Sequence, residues 1–177
     1  MGKTKWTIDK AHTDIQFKAK HLMITNVKGG FRNFDAVVES DRDNFLDADV
    51  LFTADVASVF TGNEQRDEHL KSADFFDSEK FPQIKFKSLK YEKNGSDSTY
   101  NLIGDLTIKD VTKPVVLNVE FGGVVKDPWG NTKAGLQFSG KINRKDFGLN
   151  FHVVNEAGNL LVSDEIKLVG DIQLSAN

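Results

Sequence analysis

TGNEQRDEHLKSADFFDSEKFPQIKF, residues 61–86, joins a polar, helix-like stretch to three phenylalanines and a proline. Connections between strands usually carry few apolar residues, yet Phe75, Phe76 and Phe81 place three large aromatic side chains inside this one. Those rings need an apolar surface to cover them. The sequence on both sides reads as β-structure, so the connection is expected to form a short helical excursion packed across a sheet or over the mouth of a barrel. Thr61 followed by Glu64 fits a capping box and predicts a helix over about residues 62–73. At 3.6 residues per turn Asn63, Arg66, His69, Leu70 and Ala73 share one face, while Glu64, Glu68 and Lys71 share the other. So short a helix needs packing for its stability, and that packing would bring Arg66 and His69 toward the protein.

Outward from this segment, apolar and polar residues alternate with period two, the pattern of strands with one face in a core. Ile15, Phe17 and Ala19 form one stripe, and Ala48, Val50, Phe52, Ala54 and Val56 another. Tyr100, Leu102, Leu106 and Ile108 continue the pattern, as do Val115, Leu117, Val119 and Phe121. Leu136, Phe138 and Ile142 follow, and Ile166, Leu168, Ile172 and Leu174 close the chain. Turn signals at Lys93-Asn94-Gly95, Lys109-Asp110-Val111-Thr112 and Asp127-Pro128-Trp129-Gly130 predict antiparallel hairpins between consecutive strands. Gly104, Gly140 and Gly170 interrupt inward-facing positions, where glycine marks bends or the close approach of a ligand or backbone. About eight strands result, a number that closes into a barrel either filled by side chains or holding one slender ligand.

Composition narrows the function classes. A chain of 177 residues, 39% hydrophobic and 28% charged, suits one domain spanning residues 1–177. Its 23 basic and 26 acidic residues are mixed along the chain for a net charge of −3, which argues against nucleic acid as a partner. The absence of cysteine removes disulfides, thiol nucleophiles and thiolate metal sites. Histidines at positions 12, 21, 69 and 152 lack metal-ligand spacing, and no metal or other cofactor is expected. Apolar runs are too short for a membrane-spanning segment. No signal-peptide core is read at the start, so a cytoplasmic location is expected, with the periplasm as the alternative for a mature chain relieved of its leader.

A long ordered set of residues resembles the YceI family of lipocalin-like, polyisoprenoid-binding proteins. It opens with Trp6-Thr7-Ile8-Asp9, His12-Thr13, Phe17, His21, Gly30-Phe31 and Phe34. Its centre is Thr61, Asn63, Arg66-Asp67, His69-Leu70-Lys71-Ser72 and Asp74-Phe75-Phe76-Asp77, followed by Phe81-Pro82, Ile84 and Phe86. Gly104, Leu106-Thr107-Ile108, Val111-Thr112-Lys113-Pro114, Trp129-Gly130, Gly135 and residues 142–148, INRKDFG, complete it. The resemblance implies an all-β fold, an extended antiparallel eight-stranded lipocalin-like barrel. It also implies an internal channel for a polyisoprenoid, quinone or fatty-amide lipid, and a homodimer.

Arg66, His69, Asn63 and His21 are the candidates for contact with a lipid head group, because guanidinium and imidazole suit phosphate, carbonyl and amide oxygens. Each has a structural alternative: Arg66 pairing with a carboxylate beside Asp67, Asn63 capping the helix, and His21 as a satisfied strand histidine. The expected channel lining is Phe17, Phe52, Leu70, Phe75, Phe76, Tyr100, Leu102, Ile108, Leu117, Phe121, Leu136, Phe138 and Ile166. The expected function is that of a lipid carrier, store or sequestering protein, not an enzyme. No nucleophile elbow or phosphate-cradling loop appears, and Asp67 and His69 diverge by about 200° around a helix. The alternatives are an interaction module with a filled barrel and an enzyme acting on a lipid or amide.

Overall fold

A computed structural model describes residues 4–21, 24–41, 44–93, 95, 98–150 and 163–176, with the side chains of His21, Asp41, Asn44, Leu46 and Asp47 outside the described part. The first half holds β1 (Thr4–Ile8), β2 (Asp14–His21), β3 (Thr25–Phe31), β4 (Phe34–Asp41), β5 (Asn44–Asp55) and β6 (Val59–Phe60). Helix α1 (Glu64–Lys71) then precedes β7 (Gln83–Lys93), β8 (Thr99–Ile108), β9 (Val111–Lys126), β10 (Thr132–Asn143) and β11 (Glu165–Ala176). All described pairings are antiparallel, and the order β1-β4-β5-β7-β8-β9-β10-β11 closes on itself through β1 against β11. The result is the expected eight-stranded barrel.

Strands β2, β3 and β6 extend three staves of this ring beyond its closed part. β11 pairs with β1 through Leu174–Ala176 and with β2 through Lys167–Asp171, so β1 and β2 are two halves of one bent strand. The bend is the 3-10 turn Lys10–His12, capped by the Asp9 carboxylate, which accepts from the Ala11 N–H at 3.2 Å. β3 and β4 are likewise halves of one stave, as are β5 and β6. Their bends interlock: the Ser58 hydroxyl accepts from Asn33 N–H at 3.0 Å and donates to the Asp55 carbonyl at 2.6 Å. β6 is the free edge of this extension, and α1 packs against it. The polar connection of residues 61–82 therefore covers an edge that would otherwise expose an unpaired ladder.

β8 shows why the alternation was readable. Tyr100, Leu102, Gly104, Leu106 and Ile108 are all buried, and every residue between them is only partly so. The two-residue connection to β9 places Lys109 at φ 59°, a left-handed position matching the right-handed twist of a hairpin. Asn94, in the first expected turn, lies outside the described residues. At the opposite end from α1, β5 and β7 part below the Leu51–Lys87 pair. Side chains join them there: Ser88 Oγ accepts from Val50 N–H at 2.8 Å, and Tyr91 Oη donates to the Ala48 carbonyl at 2.6 Å.

Two of the inward glycines admit a close backbone, as expected: a Cβ built on Gly104 would stand 2.7 Å from the Lys87 carbonyl oxygen, and one on Gly140 would stand 3.2 Å from that of Val116. Aromatic rings crowd the glycines as well. A Cβ built on Gly170 would meet Phe138 Cε1 at 2.3 Å, one on Gly29 would meet Phe17 Cζ at 2.5 Å, and one on Gly104 would meet Phe86 Cζ at 2.4 Å. Gly170 and Phe138 are direct cross-strand partners, as are Gly29 and Phe17. Each ring lies against its glycine in the space a side chain would fill, so large aromatic groups fit close along the inner wall.

Candidate functional site

The barrel encloses a cavity of about 300 Å³ whose wall is almost wholly apolar. Twelve of the thirteen expected lining residues face it: Phe17, Phe52, Leu70, Phe75, Phe76, Tyr100, Leu102, Ile108, Leu117, Leu136, Phe138 and Ile166. Phe121 does not. Its ring lies 5.0 Å from that of Phe45, which lies 5.3 Å from Trp6, and this aromatic stack plugs the barrel end remote from α1. Trp6 is fully buried, and its indole N–H donates to Ser40 Oγ at 3.0 Å, satisfying the one polar group that burial would leave stranded.

The other end is built by residues 61–82. The helix starts at Glu64 and ends at Lys71, shorter than expected at both ends, and its N-cap is Asn63, whose Oδ1 accepts from Arg66 N–H at 3.0 Å. Thr61, expected to cap, works in the side-chain network instead. Its hydroxyl donates to Asp67 Oδ1 at 2.6 Å and accepts from Arg66 Nε at 2.7 Å, while its carbonyl accepts from Arg66 Nη2 at 2.8 Å. Arg66 is thus held by Thr61, with no carboxylate at ion-pairing distance among the described residues, and its Nη1 remains available as a donor. Arg66, Thr61 and Leu70 all line the cavity.

Beyond the helix the chain folds back on itself. Phe76 N–H donates to the Leu70 carbonyl and Phe75 N–H to that of Ser72, both at 3.0 Å, and Asp77 takes a left-handed φ of 52°. This turn drives both phenylalanines into the cavity, Phe76 edge-on to Phe31 at 6.0 Å. His69, expected on the inner face, is 42% exposed; its Nε2 bonds Asp74 Oδ2 at 2.8 Å and its ring stands edge-on to Phe75 at 5.1 Å. His69 therefore braces the back of the lid rather than the cavity. Asn63 is exposed as a cap, and the His21 side chain lies outside the described residues.

Several wall residues were not singled out from sequence. Phe31, Phe45, Phe86 and Tyr91 are aromatic; inward alternation with Val27 and Ile84 locates Phe31 and Phe86, whereas Phe45 is out of phase with Ala48, Val50 and Phe52, and Tyr91 lies beyond the register irregularity at Ser88–Lys90. Lys20, exposed, and Gln16 add polar stems near the α1 end. Arg144 is 3% exposed, and its guanidinium donates to the carbonyls of Ser163 at 3.1 Å and Leu149 at 2.7 Å, with Asp164 Oδ1 at 3.4 Å. Burial lowers its pKa, and the Asp164 carboxylate opposes that shift. Among the described wall residues there is no His, Asp or Glu.

The YceI-like domain family model matches residues 6–174. The chain belongs to the YceI family. A UPF0312 protein of Staphylococcus aureus (strain N315) is 38% identical over 173 residues, covering 97% of this chain and 98% of that protein. The crystal structure of the Campylobacter jejuni YCEI protein superposes with a TM-score of 0.76 at 38% identity, covering 96% of each chain. A polyisoprenoid-binding domain from Saccharophagus degradans, implicated in plant cell wall breakdown, shares 13% identity with a TM-score of 0.69 over 97% of this chain and 98% of that one. At that identity it shows the common fold alone.

Proposed function

We propose that this YceI protein binds a long-chain isoprenoid or related amphiphilic lipid in its barrel, serving as a carrier, store or sequestering protein. The observation that carries the proposal is the cavity: a nearly all-apolar space at the lower end of the volume range of small-ligand sites, running between a lid of aromatic residues and an aromatic plug. Transfer of each methylene from water contributes about 0.8 kcal/mol, so a chain threaded along the wall binds with little help from its head group. Arg66, anchored through Thr61 and with Nη1 available at the cavity edge, suits a phosphate, carbonyl or amide oxygen. Prenyl, quinone and fatty-amide lipids share this chemistry. Binding is the reading that an almost wholly apolar wall supports.

Titration with saturated primary amides of increasing length, by displacement of a polarity-sensitive fluorophore, tests this reading. Affinity should climb roughly fourfold per methylene, following about 0.8 kcal/mol each, and level off once the cavity is filled. Affinity independent of length would overturn it.

A further inference from the structure

Tyr100 is 4% exposed and belongs to the cavity wall. It sits in β8 next to Thr99, seven residues from Thr107, which pairs with Lys85 where β7 leaves the lid connection. That is roughly 23 Å along the strand at about 3.3 Å per residue. Tyr100 is therefore at the plugged end of the cavity, far from Arg66. Two tyrosines meet there, their rings 5.4 Å apart and edge-on. The Tyr91 hydroxyl is used, donating to the Ala48 carbonyl at 2.6 Å. The Tyr100 hydroxyl has no hydrogen-bond partner among the described residues.

The hydroxyl is not fully closed off, yet a tyrosine hydroxyl in so apolar a setting ordinarily finds a protein partner. A leucine or phenylalanine would complete an apolar wall at lower cost if only a hydrocarbon tail reached this end. We propose that Tyr100 is a second polar contact for the ligand at the blind end, recognising a neutral oxygen, a hydroxyl, ether or carbonyl, on the part of the chain that enters first. Charged groups are ill-suited there, because the surrounding wall is apolar and the cations among the described wall residues, Lys20, Arg66 and Arg144, stand toward the α1 end. Burial pushes the Tyr100 phenol up to about 12, which keeps it neutral and able to donate at physiological pH. The proposal rests on the lipid-binding reading and adds a polarity requirement at the far end of the lipid.

Hexadecanoic acid and 16-hydroxyhexadecanoic acid differ only at the end that would reach Tyr100, and each keeps its carboxylate for the Arg66 end. Their affinities for the wild-type protein and for Tyr100→Phe, measured by calorimetry, supply the test. Tyr100→Phe should weaken the hydroxy acid about tenfold and leave the plain acid within twofold, the loss expected when a buried hydroxyl loses its partner. The empty variant should melt at or above the wild-type temperature, because the hydroxyl makes no hydrogen bond to the described residues that its removal would break. Equal effects on both acids, no effect on either, or a lowered melting temperature would overturn the proposal. Failure of both acids to bind the wild-type protein would instead count against the lipid-binding reading itself.

Discussion

Substituting Gly170 by alanine should close part of the cavity without replacing any side chain of its wall, by pushing Phe138 inward. The added Cβ would stand 2.3 Å from Phe138 Cε1, 2.8 Å from Cζ and 3.0 Å from Cδ1. Carbon atoms settle at about 3.5–4.0 Å, so the ring must retreat by about 1.2–1.7 Å. β11 lies behind Gly170 and the lumen lies in front of Phe138, so the ring moves inward. A phenyl ring flanks about two methylenes of an extended chain, and excluding them from the wall forfeits about 1.6 kcal/mol, or about fifteenfold in affinity. Displacement titrations with long and short saturated amides would read this directly: the long chain should weaken by that factor and a chain too short to reach Phe138 should be spared. Overpacking itself costs about 1–3 kcal/mol of stability, so the melting temperature is measured alongside. Adding Phe138→Leu to Gly170→Ala should restore both. A folded Gly170→Ala protein that binds the long chain within twofold of wild type would refute the idea that glycines keep aromatic rings out of the lumen.

Other perturbations test other parts of the account. Arg66→Ala should weaken an anionic prenyl phosphate about tenfold more than the matching uncharged alcohol, and equal losses in parallel titrations would remove the head-group role. Arg144→Leu strands the carbonyls of Ser163 and Leu149 and the Asp164 carboxylate, and should cost about 3 kcal/mol in urea unfolding. Tyr100 makes stability depend on pH in the alkaline range. Its folded pKa of about 12 lies above the ordinary value of 10.0, so its contribution is whole below pH 10 and disappears as pH rises toward 12. Two units correspond to roughly 3 kcal/mol at most, and Tyr100→Phe should flatten that part of the pH profile of denaturant midpoints.

The barrel was legible because alternation is a local property: a strand with one face in a lumen writes its geometry into every second residue, as Tyr100 to Ile108 do. Splitting of three staves was not, since the bends at Lys10–His12 and Val56–Ser58 depend on hydrogen bonds such as Ser58 to Asn33, between residues distant in sequence. Thr61 and Asn63 are both good caps, and the choice between them turned on Arg66 reaching back to occupy Thr61. His69 and Arg66 are close in sequence on a short helix, yet the fold-back through Ser72 and Asp74 recruited the histidine to the outside. Phe121 belongs to the same stripe as Leu117 and Val119. Whether an inward ring lines the lumen or plugs it depends on its height along the barrel, which is set by strand stagger rather than by local pattern.

Native mass spectrometry of freshly purified protein, followed by organic extraction and identification of what is released, tests the central claim most directly. The account predicts one long-chain lipid per barrel, apolar along most of its length. A protein that emerges empty and also refuses added polyisoprenoids and fatty amides would contradict it.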